Sequence, residues 1–136
     1  MPVADTEFIF ALNPNDKKHA EAVKTLSMGN LRIPDTAIFE FQAVLRARGR
    51  APSEIAKAMV ALKQIFGRRI KEVSTINTSL FMTQAEIEEK YGLSYFDSMI
   101  AASALAFDGV VVSDDKDFDR VEGLRRLPLG TVEYDG

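Results

Sequence analysis

The chain has 136 residues, 46% of them hydrophobic and 27% charged, the balance of a globular protein with room for one domain rather than two. No cysteine and a single histidine, His19, exclude disulfides, thiolate zinc sites, cysteine nucleophiles and histidine-rich metal centres. The formal net charge of −3 hides an asymmetry, with residues 41–71 summing to +7 and residues 72–124 to −8.

No repeat, low-complexity tract or linker interrupts the sequence, which reads as one domain over residues 1–136. Val3-Ala4-Asp5 is predicted as a short strand running into a helical segment from Thr6 to about Leu12. Asn13-Pro14-Asn15 marks a turn, after which Asp16 caps a helix reaching about Ser27. Leu31-Arg32-Ile33 reads as a strand. Pro34-Asp35 then opens a helix with Asp35 as N-cap, with Ile38, Phe41, Val44 and Leu45 on one face, stopping near Gly49. Ser53 caps the next helix, where Ile55, Met59, Leu62 and Phe66 recur at helical spacing. Glu72-Val73-Ser74 suggests a further strand. Thr83 to Glu86 is a Thr-x-x-Glu capping signature, although the helix can also start near Thr78; Gly92 ends it. Ser94 opens a helix through Ile100, Ala101, Ala104 and Leu105 to Gly109, and Val110-Val111-Val112 is an apolar strand. A last strand is placed in Leu127-Pro128-Leu129 or in Thr131-Val132-Glu133. Short strands separated by helices, with few hairpin signals, argue for an α/β fold with a mainly parallel sheet in which helix dominates. No basic leader precedes Asp5 and no apolar run approaches the ~20 residues of a membrane helix, so a cytoplasmic location with no membrane partner is expected.

In open α/β sheets, ligands sit beyond the carboxyl ends of the strands. Asp5 and Asp115 fall at such ends. Glu40 lies in the second turn of its helix between Phe39 and Phe41, where a carboxylate either points into a groove or is forced to the surface. Asp97 occupies the first turn of a strongly apolar helix, where the positive end of the dipole favours an anion. Each acid also has a plain structural account. Asp5 can cap the helix at Thr6, Asp97 can complete a Ser-x-x-Asp cap, Glu40 can face solvent, and Asp114, Asp115, Asp117 and Asp119 share a polar loop.

Taken together, Asp5-Thr6, Glu40 in Ile-Phe-Glu-Phe, the run Leu93-Ser94-Tyr95-Phe96-Asp97-Ser98-Met99-Ile100-Ala101-Ala102-Ser103-Ala104-Leu105 and the run Val112-Ser113-Asp114-Asp115-Lys116-Asp117-Phe118 resemble the PIN domain. The likeness is to its small single-domain members, including VapC-type toxins of toxin–antitoxin pairs, and covers nearly the whole chain. It implies a Rossmann-like three-layer α/β/α fold with a parallel sheet of about five strands. It also implies an acid cluster holding Mg²⁺ or Mn²⁺ for hydrolysis of RNA to a 5′-phosphate and a 3′-hydroxyl. Carried over by position, the acids are Asp5, Glu40, Asp97 and Asp115, with Asp117 accessory and Thr6 and Ser113 as supporting hydroxyls. Glu7 stands where the family has Asn or Ser, and Asp114 where Arg, Asn or another polar residue is common, which leaves open which carboxylate of the loop faces the metal. The resemblance further implies a homodimer and a VapB-type antitoxin partner.

The chemistry suits this composition. Hard oxygen ligands without His or Cys select Mg²⁺ or Mn²⁺, and two carboxylates ~5 Å apart at an effective dielectric near 20 repel by about 3 kcal/mol. A crowd of such acids calls for a cation, for protons or for an intruding base. Arg46, Arg48, Arg50, Arg68 and Arg69 are candidates for the RNA backbone, with exposed helix termini as the plainer account. His19 is read as a surface residue, and Phe39, Phe41, Phe66, Phe96 and Phe118 as core. The alternatives are a non-catalytic PIN-like RNA- or protein-binding module, a purely structural partner-binding domain, and a phosphoryl-transfer domain of the receiver or haloacid-dehalogenase type. Against the last, Asp5-Thr6-Glu7 lacks a second Asp two residues on.

Overall fold

In the computed structural model, which describes residues 1–134, the strands are Val3–Ala4 (β1), Arg32–Pro34 (β2), Lys71–Val73 (β3), Val110–Val112 (β4) and Arg125–Leu127 (β5). They form one sheet in the order β3-β2-β1-β4-β5, and every pairing is parallel. The helices are Thr6–Ala11 (α1), His19–Leu26 (α2), Asp35–Ala47 (α3), Pro52–Phe66 (α4), Thr78–Tyr91 (α5) and Tyr95–Leu105 (α6), with a 3-10 turn over Lys116–Arg120. The α/β expectation holds, and the sheet is wholly rather than mainly parallel. The reading of one domain to residue 136 extends over Asp135 and Gly136, which lie outside the described residues.

Parallel strands covered by helices read as continuous apolar runs rather than alternations. Val110, Val111 and Val112 are all buried, as are Val3, Ala4 and Ile33. Burying one such valine contributes about 1.5–3 kcal/mol. Helix α6 is buried on every side from Ser98 to Ala104, which explains its weak amphipathic signal. Its small residues let neighbours approach closely, and its hydroxyls find partners. Ser98 Oγ accepts from Gln84 Nε2 of α5 at 3.0 Å, while Ser103 Oγ meets Thr36 Oγ1 of α3 at 2.7 Å and Thr75 Oγ1 at 2.9 Å.

The order of the strands fixes where a ligand goes. From β1 the chain grows outward through β2 and β3, then returns so that β4 pairs with the other side of β1. The reversal leaves a crevice beyond the carboxyl ends of β1 and β4, the switch point where open α/β sheets bind ligands. The residues that follow those ends are Asp5 and the Ser113–Asp115 loop.

Several expected boundaries move, each for a local reason. Asp16 does not cap α2: its side chain closes a turn by accepting from Lys18 N at 2.8 Å, and the helix starts at His19. Strand β2 lies one residue later than Leu31–Ile33, and β3 one earlier than Glu72–Ser74. Asp35 is the first residue of α3 rather than its cap, which is Pro34. The Asp35 carboxylate is taken instead by Thr75 N, Thr75 Oγ1 and Ile76 N, fastening the loop after β3. Ser53 sits inside α4 because Pro52 takes the first helical position, with Ala51 as cap and Glu54 accepting from Ala51 N at 3.0 Å. Thr83 is mid-helix; α5 takes the earlier start, capped by Asn77, which accepts from Leu80 N at 2.8 Å. Strand β5 ends at Leu127 because Pro128 has no N–H to continue the ladder, and residues 131–133 form no strand.

Gly109 turns α6 into β4 at φ +75, and a Cβ there would stand 2.9 Å from the Gly123 carbonyl oxygen. Left-handed strain of about 1–2 kcal/mol adds to that backbone clash. Gly109→Ala is expected to lower unfolding free energy by about 2–3 kcal/mol, read as a lower urea midpoint with unchanged slope.

Candidate active site

The crevice is assembled from the ends of four elements. Asp5 leaves β1 with its N–H still donating to the Val112 carbonyl of β4 at 3.1 Å, and its side chain caps α1 by accepting from Thr6 N at 2.7 Å. Its second oxygen accepts from Ser113 Oγ at 2.7 Å. Only 6% of Asp5 is exposed. That burial pushes its carboxyl from 3.8 up to about 7; the Ser113 hydroxyl pulls it down, the Asp97 charge pushes it up, the Thr6 N–H pulls it down and Glu40 pushes it up.

Glu40 projects from the second turn of α3 and accepts from Thr6 Oγ1 at 2.5 Å. Half-buried, it takes the first of the two courses open to it and faces the crevice, where burial raises its carboxyl against the pull of the Thr6 hydroxyl. Asp97 stands in the first turn of α6, whose cap Ser94 accepts from Asp97 N at 3.2 Å. Burial, then the charge of Asp115, raises its carboxyl to about 6 against the Ser94 hydroxyl, with Glu40 and Asp117 adding to the rise. After β4, Asp115 N donates to Ser113 Oγ at 3.0 Å and Asp117 N donates to Asp115 Oδ1 at 2.9 Å.

One polar chain therefore runs Glu40, Thr6, Asp5, Ser113, Asp115, Asp117. Both hydroxyls singled out in the sequence are links in it. Oxygens of Asp97, Asp115 and Asp117 lie within 4.8 Å of one another, all on half-buried residues. Asp117, read as accessory, thus stands in the tightest carboxylate group, while Asp5 and Glu40 flank it. This oxygen-only donor set can hold a hard divalent cation.

Lys18 settles the two ambiguous acids and was invisible as a site residue in the sequence. Its ammonium lies 3.0 Å from Glu7 Oε1 and 3.0 Å from Asp114 Oδ2, and those bonds hold it protonated. Asp114 Oδ1 accepts from Leu129 N at 2.9 Å. Against its partial burial, Lys18 and that N–H keep the Asp114 carboxyl below its usual range. Glu7 and Asp114 are thereby turned to Lys18, and Asp115 is the loop acid left to Asp97. Lys18 lies in an undistinguished polar turn, so no local signal marked it.

The five arginines singled out in the sequence do not reach the crevice acids, whereas Arg120 does, its Nη2 lying 3.0 Å from Asp117 Oδ1. Arg48 lies over the Phe10 ring at 5.1 Å and Arg50 pairs with Glu54 at 3.5 Å, both exposed beyond α3; Arg46 is also exposed, six residues along that helix from Glu40, about 9 Å of axis. Arg68 and Arg69 precede β3 and so stand at the opposite edge of the sheet. His19 is half-buried, its Nδ1 2.9 Å from the Ala11 carbonyl, rather than a free surface side chain. Phe41, Phe66 and Phe118 are core, but Phe39 is 45% exposed and Phe96 only half-buried. The chain neighbours of Glu40 and Asp97 thus form a rim, with the Phe39 and Phe96 rings 5.6 Å apart and Tyr95 5.4 Å from Phe96.

A parallel sheet whose switch-point crevice is lined by carboxylates defines the class, and comparison supplies the family. The PIN domain model matches residues 3–124. The chain belongs to the PIN domain family. No curated protein matches it by sequence. Among solved structures it is similar to VapBC2 of Rickettsia felis bound to a promoter DNA fragment, at 15% identity and TM-score 0.67, covering 93% of this chain and 96% of that one. It is similar to Mycobacterium tuberculosis VapC20, described as a Sarcin-Ricin loop cleaving toxin, at 17% identity and TM-score 0.68, covering 88% and 93%. It is also similar to a toxin–antitoxin complex from Klebsiella pneumoniae, at 16% identity and TM-score 0.65, covering 91% and 95%. At these identities the likeness is one of fold. Among the described residues no helix is long and apolar enough to cross a membrane.

The raised acids make stability fall with pH. Asp5 and Asp97 keep protons in the folded chain that the unfolded chain has released, so stability drops as pH rises from about 4, through about 6 for Asp97, to about 7 for Asp5. The melting temperature in EDTA is expected to fall across that window, and Mn²⁺ to raise it more at pH 8 than at pH 5. A flat profile with no Mn²⁺ shift would contradict the crowded-acid geometry.

Proposed function

We propose that this chain is a divalent-metal-dependent endoribonuclease, the VapC-type toxin of a toxin–antitoxin pair. The observation that carries the reading is the joined set of carboxylates at the switch point of a PIN-family fold. Asp97, Asp115 and Asp117 would hold Mg²⁺ or Mn²⁺, with Asp5 and Glu40 completing the set directly or through water. When bound, such an ion supplies Lewis acidity toward a phosphoryl oxygen and acidifies a water. The fold supplies the remaining requirements.

Thr6 and Ser113 fix the Asp5 and Glu40 oxygens, so the carboxylates need not reorganise when substrate arrives. Asp5, pushed up to about 7 by burial, is part-protonated near neutrality, and a bound cation would favour its ionised form. Helices α1 and α6, capped by Asp5 and Ser94, both begin at the crevice, and the positive ends of their dipoles favour anionic groups there. Hydrolysis in this setting breaks the bond from phosphorus to the 3′-oxygen, leaving a 5′-phosphate and a 3′-hydroxyl. Arg46, Arg48 and Arg50, at and beyond the far end of α3, would meet backbone phosphates of a strand leaving the crevice, Arg50 by exchanging its exposed pair with Glu54. A single-domain chain, a homodimer, a VapB-type antitoxin and a cytoplasmic location complete the proposal. Toxin–antitoxin complexes among the structural neighbours support the antitoxin.

The test is cleavage of structured and unstructured RNAs in Mg²⁺, Mn²⁺ or EDTA. Wild type is expected to cleave only with a divalent ion, and Asp5→Asn and Asp97→Asn to lose at least ~100-fold in rate, since the metal accounts for several kcal/mol of the barrier reduction. Cleavage in EDTA, or undiminished in both variants, overturns the mechanism. RNA binding without cleavage by wild type returns the non-catalytic module instead.

A further inference from the structure

The basic half of the charge asymmetry is not spent at the crevice. In a parallel sheet all carboxyl ends point one way, so the segments entering β2 and β3 gather at the other edge. There two adjoining recesses lie between residues 26–32 and residues 67–71, both lined by Arg68 and Arg69, one of them also by Arg32 and Lys71. Arg68, Arg69 and Lys71 are exposed and Arg32 half-buried. Among the described residues none of the four has a carboxylate partner. Arg32 lies over the Phe107 ring at 5.6 Å and donates from Nε and Nη2 to Met1 Sδ. Among the described residues its Nη1 has no hydrogen-bond partner, and Arg68, Arg69 and Lys71 make no side-chain hydrogen bond.

Nearby acids are turned away or occupied. Glu72 alternates with Lys71 along β3 and lines a different recess with Met59, Lys63 and Phe66. Asp108 is engaged by the N-terminal ammonium and by Tyr134 Oη at 3.2 Å. The lining is also poor in exposed apolar groups: Leu31 and Ile70 are 1% and 4% exposed, and the exposed Met1 and Phe107 are both covered in part by the Arg32 guanidinium. A partner helix needs an apolar stripe to dock, whereas a phosphate backbone needs unpaired cations with donors to spare.

We infer that Arg32, Arg68, Arg69 and Lys71 form a second, non-catalytic site for the phosphate backbone of RNA at the edge of the sheet opposite the acids. This rests on the ribonuclease reading and extends it to how substrate is held. A crevice lined by carboxylates repels a polyanion until a cation fills it, so affinity has to come from elsewhere on the surface. A compact chain of this length has a radius of gyration of about 14 Å. An RNA touching both edges must therefore wrap the flank of the molecule, and a short oligonucleotide cannot do so. The site selects long or folded RNA and leaves the chemistry of a short substrate untouched.

The experiment compares full-length wild type, Arg68→Ala/Arg69→Ala and a charge-matched control, Lys57→Ala/Lys90→Ala. Binding of a stem-loop RNA long enough to span the molecule is followed by fluorescence anisotropy in EDTA over a range of KCl. Cleavage of that RNA and of a short oligonucleotide is followed in Mn²⁺. Removing two phosphate contacts is expected to weaken binding several-fold and to flatten the slope of log K against log salt by about 1.4–1.8, with the control unchanged. KM is expected to rise for the stem-loop and stay constant for the short substrate. Wild type that cleaves RNA while the double arginine variant keeps full affinity and slope overturns this site alone. Wild type that binds through these arginines yet cleaves nothing with any divalent ion overturns the nuclease reading and leaves the site standing. Competition by poly-glutamate as effective as by RNA would assign the surface to an acidic polypeptide and overturn the RNA assignment.

Discussion

A carboxylate placed beyond β1, where the sheet reverses its direction of growth, has lost nearly all contact with water and stands among other acids. Asp5 meets this with a backbone N–H from Thr6 and the hydroxyl of Ser113, and these do not offset the burial, since its carboxyl is still pushed up to about 7. Ionising it at neutral pH costs the fold on the order of a few kcal/mol, a large share of the stability of a chain this size. The fold nevertheless builds this position into the turn from its central strand, with the Asp5 N–H bonded to β4 and the side chain capping α1.

The same bonds that tolerate the charge also align it. Thr6 reaches Asp5 with its N–H and Glu40 with its hydroxyl, so the start of α1 sets the spacing between β1 and α3. Ser113 donates to Asp5 and accepts from Asp115 N, which sets the spacing between β1 and the loop after β4. Lys18 completes the sorting from outside, drawing off Glu7 and Asp114, the two acids whose charge would otherwise crowd the same crevice. Arg120 pairs with Asp117 Oδ1 at 3.0 Å and Arg126 with Asp119 at 2.9 Å, so the cations around the loop are bound at its margin, and no cation pairs with Asp5, Glu40, Asp97 or Asp115 among the described residues.

What could be read in the chain and what could not follows from the range of each interaction. Asp97 was legible because Ser94 lies three residues before it and the apolar run that follows fixes the helix. Asp115 was legible because three valines make a strand end. Asp35 reads locally as a cap, but its partners, Thr75 and Ile76, are about forty residues away, and such a bond outcompetes a local one without any local signature. The same distance hid Lys18, whose partner Asp114 lies 96 residues on. Phe39 reads as core beside Phe41, but its helix buries the face carrying Phe41 and leaves Phe39 beside Phe96 on the rim.

Chemistry on a phosphodiester and capture of a long polyanion make opposite demands on surface charge. The first needs carboxylates dense enough to concentrate divalent cations, the second needs cations free to meet phosphates. Mixed together they would neutralise each other as ion pairs, which is the fate of Lys18 with Glu7 and Asp114 at the margin of the crevice. A parallel sheet offers a way to keep them apart, because every strand has an entering end and a leaving end and all of them agree in direction. The crevice acids follow β1 and β4 or stand in the first two turns of α3 and α6, while Arg32, Arg68, Arg69 and Lys71 sit where β2 and β3 begin. The asymmetry seen along the sequence is thus only in part a difference between halves of the chain. In the folded molecule the crevice acids and these four cations lie at opposite ends of the strands, and the near-cancelling net charge of −3 is the least informative summary of that arrangement.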